Sequence, residues 1–162
     1  MSAPKIPELD RIDRALIAAL SGNARASGAS LAAATGVAES TVSLRLRRLQ
    51  RQGVITGYRA DVDLVAAGVA LQALVAVRLA KHSRGQIDAF RQAAPHWPGV
   101  LAIFHTSGAD DYLLHVAARD AEELRDFVLD YLTGHPAVAH TQTTLIFEHA
   151  AADGWQHLLE SE

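Results

Sequence analysis

The segment 31–53 constrains this chain most, because it combines helical hydrophobic spacing with a cluster of arginines. Gly36 divides it into two short predicted helices, since glycine is the usual residue at a helix end. In the second helix, Val42, Leu46 and Leu49 fall on one side, and polar or charged residues occupy the other. This spacing predicts a helix-turn-helix whose second helix packs by one face and presents the other to a DNA groove.

The free side of this second helix holds the residues that we expect to contact DNA. Arginines combined with hydroxyl groups near a helix start suit contact with phosphates and base edges. Arg45 projects toward the packed side and is a weaker candidate. Leu44 has two interpretations, contact with thymine methyl groups or packing against another part of the protein. The predicted DNA contacts are Ser40, Thr41, Ser43, Leu44, Arg47, Arg48 and Arg51.

Charge is distributed unevenly along the chain. Residues 1–60 hold nine Lys or Arg and four Asp or Glu, whereas the whole chain holds 15 basic and 18 acidic residues. The first part is therefore basic and the remainder acidic, which predicts that only the first part contacts double-stranded DNA. The alternative is that the arginines form an ordinary solvated helix face, but a cluster without compensating carboxylates favours DNA binding.

Several function classes are disfavoured by composition and motifs. The chain has no cysteine, which excludes disulfides and thiolate metal sites, and its eight histidines lack zinc-site spacing. We therefore predict no metal and no cofactor. The sequence has no nucleophile elbow, phosphate-binding glycine loop or dinucleotide fingerprint, so we do not expect an enzyme. Without an apolar signal region or a membrane-length apolar run, we expect a cytoplasmic protein with no membrane partner.

Hydrophobic spacing and turn residues predict two domains. A first helix over about 10–20 precedes the helix-turn-helix, residues 54–63 alternate enough to form a strand, and 64–68 form a linker. The predicted divisions are a helix-turn-helix domain over 1–60, a linker strand over 61–69, a second domain over 70–150 and a tail over 151–162.

The second domain repeats the order strand, helix, strand. The predicted elements are a strand over 71–80, a helix over 86–94, strands over 100–106 and 112–118, a helix over 121–132 and a strand over 138–148. A βαββαβ order implies a four-stranded antiparallel sheet with both helices on one face, the ferredoxin-like arrangement. The chain is thus predicted to be α+β.

Two helices can cover only one face of this sheet. The other face, to which we assign Leu74, Leu101 and Ile103, is predicted to be covered by a second copy of the chain, giving a homodimer. The alternative is that short strands with mixed faces leave the sheet only partly apolar.

Several motifs occur together in this chain. They include Leu31-Ala32 with Gly36-Val37, the arginine-rich run 41–49, Gly53-Val54-Ile55-Thr56-Gly57-Tyr58, and the segment 107–114. In this combination, from about residue 9 to 148, the chain resembles the Lrp/AsnC family, the leucine-responsive (feast/famine) prokaryotic transcriptional regulators. The resemblance implies a winged helix-turn-helix, a C-terminal ligand-sensing domain, and assembly into dimers and often octamers.

The chain departs from the family pattern in two places, at Ala38 before the second helix and at Ala109 and Asp110 in the sensing turn. Ala38 stands where the family usually has Ser or Thr, so a helix cap worth about 1 kcal/mol is lost; either the helix starts later, at Ser40, or the fold tolerates the loss. In the sensing turn, Gly-Asp-aromatic-Asp-Tyr becomes Gly108-Ala109-Asp110-Asp111-Tyr112.

The resemblance implies that a small-molecule effector binds near this turn. The residue types fit an amino acid, and the added carboxylate of Asp110 predicts a cationic or polar one rather than leucine. The predicted effector contacts are Gly108, Asp110, Asp111, Tyr112, Thr141, Gln142 and Thr143. Two alternatives stay open: Asp111 and Tyr112 as an ordinary turn residue and core aromatic, and the whole chain as an architectural DNA-binding protein without an effector.

Overall fold

The computed structural model describes residues 7–80, 84–150, 152 and 154–159. Predictions for residues 1–6, and for 151, 153 and 160–162 of the tail, lie outside the described residues. The chain forms two compact units, one from the residues up to 61 together with those from 150 onward, and one from 62–149. Each has its own hydrophobic core. Among the described helices, none is long and apolar enough to cross a membrane.

The first unit contains the three predicted helices, α1 (Arg11–Gly22), α2 (Gly28–Thr35) and α3 (Glu39–Arg51). The turn between α2 and α3 is made by Gly36 at φ +70°, the left-handed conformation that glycine adopts at least cost. The core joins one buried leucine or valine from each helix, namely Leu16, Leu31 and Val42. The described end of the chain forms a 3-10 helix at Gly154–Leu159.

The strand predicted over 54–63 and the linker strand over 61–69 are absent from the described structure. Residues 54–63 make no ladder, and 64–68 form a turn. The backbone N–H groups of Val54 and Ile55 instead donate to the Leu49 carbonyl, closing the end of α3. The prediction was wrong because alternation alone does not make a strand when no neighbouring strand is available to pair with it.

The second unit is the predicted βαββαβ fold. Its elements are β1 (Leu71–Leu79), α4 (Arg84–Ala93), β2 (Val100–His105), β3 (Tyr112–Ala118), α5 (Ala121–Phe127) and β4 (Val138–Ile146). The strands form one antiparallel sheet in the order β2-β3-β1-β4. After α4 the chain makes a 3-10 turn at Ala94–His96, and after α5 a π-helical turn at Val128–Thr133.

One face of the sheet is packed against the helices. Alternate side chains of the two central strands are buried there, and Phe90 of α4 is fully buried against Tyr112 of β3, with ring centroids 5.3 Å apart. This alternation is the pattern of a sheet with one covered face.

A β-bulge reverses part of the predicted facing of β2. The register shifts between Val100 and Ala102, so Ile103 pairs with Leu114 and packs on the helix-covered core, while Phe104 pairs with Leu113. The prediction of Ile103 on the open face was wrong, because an extra residue in a strand shifts which side chains face each side.

Candidate nucleic-acid interface and effector turn

Four residues one helical turn apart form an exposed row on α3, which we call the α3 stripe: Ser40, Leu44, Arg47 and Arg51. The opposite face of the helix is buried through Val42 and Leu49. Leu44 is 62% exposed and projects from the same side of the helix as the two arginines. Within the described part of the chain, Arg47 and Arg51 form no ion pair. The stripe therefore presents two uncompensated cations and one apolar side chain.

The other predicted DNA contacts differ from one another. Ser43 is exposed and Thr41 half-buried. Arg48 is paired internally, because its Nη2 donates a hydrogen bond to Asp13 Oδ2 and only 40% of its side-chain surface is exposed. As folded, Arg48 is a contact between helices rather than a free DNA contact, since a buried carboxylate strongly attracts a nearby guanidinium.

Asp13 is the centre of an ion-pair cluster between α1 and α3, which we call the α1–α3 clamp: Asp10, Asp13, Arg45 and Arg48. Asp13 is completely buried, and Arg45 Nη1 lies 3.0 Å from Asp13 Oδ1 and 2.6 Å from Asp10 Oδ2. Asp10 caps α1 by accepting the Asp13 N–H at 2.9 Å. That backbone hydrogen bond, followed by the one from Arg45, lowers the pKa of Asp10 to about 2.

The ion pairing within the α1–α3 clamp was not predicted from the sequence, which assigned Arg48 to DNA contact instead. Its signal was present as Asp10 and Asp13 three residues apart at a helix start, and Arg45 and Arg48 three residues apart on α3. The missing information was the packing of one pair against the other.

The start of α3 decides between the two possibilities left open by Ala38. The helix begins at Glu39 with Ala38 as the N-cap residue, and none of the described side chains caps its first turn. A later start at Ser40 is therefore wrong, and the fold tolerates the uncapped N–H groups. These N–H groups carry the partial positive charge of the helix N-terminus, which favours a nearby anion.

The predicted effector turn is held to the end of β1. Asp111 Oδ2 accepts the Leu79 N–H at 2.7 Å, and the Asp111 N–H donates to the Val77 carbonyl at 3.0 Å. Gly108 has φ +152° and open space where a side chain would project. Asp111 therefore anchors the turn, and Gly108 leaves its surface open.

Arg78, absent from the predicted effector contacts, lies over the same turn. Its Nε donates to the Ala109 carbonyl at 2.8 Å, and its Nη2 lies 3.3 Å from Asp110 Oδ1. The turn thus presents a guanidinium beside the carboxylate of Asp110, rather than the negative charge alone on which the expectation of a cationic effector rested. Both side chains stay partly exposed, 50% for Arg78 and 30% for Asp110.

The remaining predicted effector residues lie on different faces of the sheet. Tyr112 is 4% exposed and stacks on His105 in the helix-covered side, with ring centroids 4.8 Å apart. Along β4, Thr141 and Thr143 pair with Val77 and Val75, whose side chains are buried on the helix-covered face, and Gln142 pairs with Ala76. Because alternate residues of a strand face opposite sides, Gln142 is the one of these three β4 residues that shares the open face with Arg78.

That open face is partly apolar. Leu74, Leu113 and Phe104 lie on it, and Phe104 is 51% exposed. His115 also lies there, where its Nε2 is 2.8 Å from Gln72 Oε1, and burial lowers its pKa. Within the described ranges, no three His, Asp or Glu side chains converge as metal ligands would.

Comparison with known proteins gives two family matches. Residues 9–56 match the winged helix-turn-helix DNA-binding family, and residues 72–155 match the Lrp/AsnC ligand binding domain. The transcriptional regulator AldR of Mycobacterium tuberculosis is 46% identical over 142 residues, which cover 88% of this chain and 79% of AldR. The leucine-responsive regulatory protein of Rhizobium meliloti is 33% identical over 85% of this chain and 88% of its own length.

Solved structures agree with these matches. The crystal structure of AldR has a TM-score of 0.75 and 41% identity, covering 89% of this chain and 98% of that one. A transcriptional regulator from Neisseria meningitidis, solved in complex with L-methionine, has a TM-score of 0.82 and 27% identity, covering 93% and 99%. The two matched modules, together covering most of the chain, show that it belongs to the Lrp/AsnC family of transcriptional regulators.

Proposed function

We propose that this protein is a sequence-specific transcriptional regulator that contacts DNA through the α3 stripe. Its DNA binding responds to a small metabolite, an amino acid. The observation that carries the proposal is the exposure of Arg47 and Arg51, which have no ion-pair partner among the described residues, beside an exposed Leu44. Arginines suit guanine edges and phosphates, and an apolar side chain suits thymine methyl groups. Such a regulator acts in the cytoplasm, where the prokaryotic chromosome lies.

The effector is proposed to bind over the turn 107–111. A free amino acid has both a carboxylate and an ammonium group, and Arg78 with Asp110 offers a partner of opposite charge to each. Gly108 leaves room for the ligand backbone, and Asp111 keeps the turn in place. Gln142 is the additional polar partner on the same face. The complex of the Neisseria relative with L-methionine is consistent with this ligand class.

We also propose that two chains associate through the open sheet face. That face carries three apolar side chains, of which Leu74 and Leu113 are half-buried and Phe104 is 51% exposed. Burial of such a surface favours association. Assembly of dimers into octamers, implied by the family resemblance, is a further step of this proposal.

Nuclease footprinting with increasing salt tests the DNA function. A regulator protects a discrete, palindromic site, and an added amino acid changes the protection. An architectural protein instead shows continuous protection, with strong salt dependence and little sequence preference. The second pattern, unaffected by all amino acids, would contradict the proposal.

Calorimetric titration with amino acids tests the effector site. Arg78→Gln and Asp110→Asn should each weaken binding at least about tenfold, since each removes one charge-assisted contact. Asp111→Asn is the control for these two variants. It removes a charge from the turn, but its amide oxygen still accepts the Leu79 N–H, so the turn stays anchored. Unchanged affinity in the Arg78 and Asp110 variants would refute this site.

Light scattering of the full chain tests the dimer. Phe104→Glu should yield monomers, because it places a charge within the apolar open face. Leu129→Glu is the control, since Leu129 is similarly exposed at 52% but follows α5 on the helix side. A monomeric wild type at micromolar concentration would contradict the proposal.

A further inference from the structure

The α1–α3 clamp neutralises half of the arginines on α3. Asp13 accepts hydrogen bonds from Arg45, from Arg48 and from the Asp10 backbone N–H at 3.2 Å. Residues 1–60 contain four carboxylates, and two of them, Asp10 and Asp13, are committed to these two arginines. Among the described residues, the arginines of α3 that present an unpaired charge outward are thereby reduced to the two of the α3 stripe.

Stability alone is a weak reason for this arrangement. A buried ion pair is often no more stabilising than apolar residues of the same volume, because both charges must be dehydrated. In the clamped conformation, Arg48 Nε is buried without a hydrogen-bond partner among the described atoms. An unsatisfied buried donor carries a free-energy cost. The clamp therefore holds Arg48 in a position that packing by itself does not favour.

The position of Arg48 on α3 suggests what the clamp prevents. At about 100° per residue, Arg48 lies about 70° around the helix from the centre of the α3 stripe, whereas Arg45 lies about 130° away. The Arg48 side chain is still 40% exposed, against 22% for Arg45. A released Arg48 would flank the DNA-facing side and reach the phosphate backbone beside the groove.

We propose that Asp13 is a positioning residue that withholds Arg48 from DNA phosphates and so limits sequence-independent affinity. This inference rests on the proposed DNA function. Phosphate contacts add affinity for every sequence equally, whereas base contacts discriminate. By keeping one flanking arginine away from phosphate, Asp13 lowers the affinity for DNA of every sequence and leaves discrimination to the base contacts of the α3 stripe.

The test is a salt titration of binding to a duplex of mixed sequence and to the footprinted operator. Asp13→Asn keeps the side-chain volume but removes the charge that holds Arg48. The affinity for mixed-sequence DNA should rise, and its dependence on salt should steepen by about 0.9 per additional phosphate contact in a log–log plot. The operator should gain by a similar factor, so the ratio of the two affinities should stay near the wild-type value. The double variant Asp13→Asn with Arg48→Gln should restore the wild-type slope.

Two single variants show whether Arg48 is the residue that Asp13 withholds. Arg48→Gln alone should leave the salt slope for mixed-sequence DNA unchanged. This measurement is informative even if the Asp13→Asn protein does not fold. A shallower slope for Arg48→Gln would overturn the inference, because Arg48 would then already contact phosphate. An unchanged slope in a folded Asp13→Asn protein would also overturn it. Arg47→Ala and Arg51→Ala report separately on the proposed function: unchanged operator affinity and salt slope in both refute the DNA interface itself.

Discussion

Gly99 and Gly68 form a matched pair for testing the packing of the second unit. Both adopt the left-handed conformation, with φ +79° and +86°. A Cβ at Gly99 would lie 2.6 Å from the Ala117 carbonyl oxygen, whereas one at Gly68 would meet nothing within 4 Å. That oxygen belongs to the backbone of β3, so it cannot rotate away as a side chain could.

Alanine at either glycine costs about 1–2 kcal/mol for the left-handed conformation. At Gly99 the forced contact adds about 1–3 kcal/mol, the usual range for overpacking. Because a unit of this size shifts its Tm by about 4–8 °C per kcal/mol, Gly99→Ala should melt at least about 4 °C below Gly68→Ala.

The measurement is thermal and urea unfolding followed by tryptophan fluorescence at one protein concentration. The chain has two tryptophans, and in a Trp155→Phe background the remaining one, Trp97, packs against the core of this unit. Equal destabilisation of the Gly99 and Gly68 variants would refute the close approach to β3. The loss of stability in both variants would then come from the left-handed backbone conformation alone.

Three further predictions concern stability. The pKa of Asp10 is lowered from 3.8 to about 2, so its contribution is present above about pH 4 and lost as the pH falls toward 2; acid titration of Asp10→Asn should lack this loss. Burial lowers the pKa of His135, so the second unit should lose stability as the pH falls below about 6.5, and His135→Gln should reduce that loss in melts from pH 7 to 5. Phe90→Ala should cost about 3–5 kcal/mol in urea unfolding, and Phe147→Ala, at a 98% exposed site, almost nothing.

Hydrophobic periodicity predicted the helices, and it predicted the strands that have a neighbouring strand to pair with. Gly36 and the spacing of Val42 and Leu49 were sufficient for the helix-turn-helix, since a turn residue and one apolar face define it locally. The strand over 54–63 was not, because pairing depends on a neighbour that alternation does not reveal. The facing of Ile103 failed for a related reason, as a bulge is a property of two strands together.

The candidate sites also divide into features that local sequence predicts and features that depend on tertiary packing. The exposed row of α3 follows from helical geometry, whereas the internal pairing of Arg48 depends on Asp13, 35 residues earlier in the chain. At the effector turn, local sequence indicated Gly108 and Asp111, but Arg78 comes from another strand. Side chains that meet through tertiary packing need the fold before their roles can be assigned.

The most direct test of the central claim is operator affinity of Arg47→Ala and Arg51→Ala, measured at several salt concentrations. Each should weaken binding by about 1–3 kcal/mol if it contacts a base, or should lower the salt slope by about one if it contacts a phosphate. Thermal stability should not change, because both side chains are exposed and unpaired in the described structure. Arg91→Ala, at an exposed arginine of α4, should bind as the wild type does. Wild-type affinity and slope in both α3 variants would contradict the claim that this helix reads DNA.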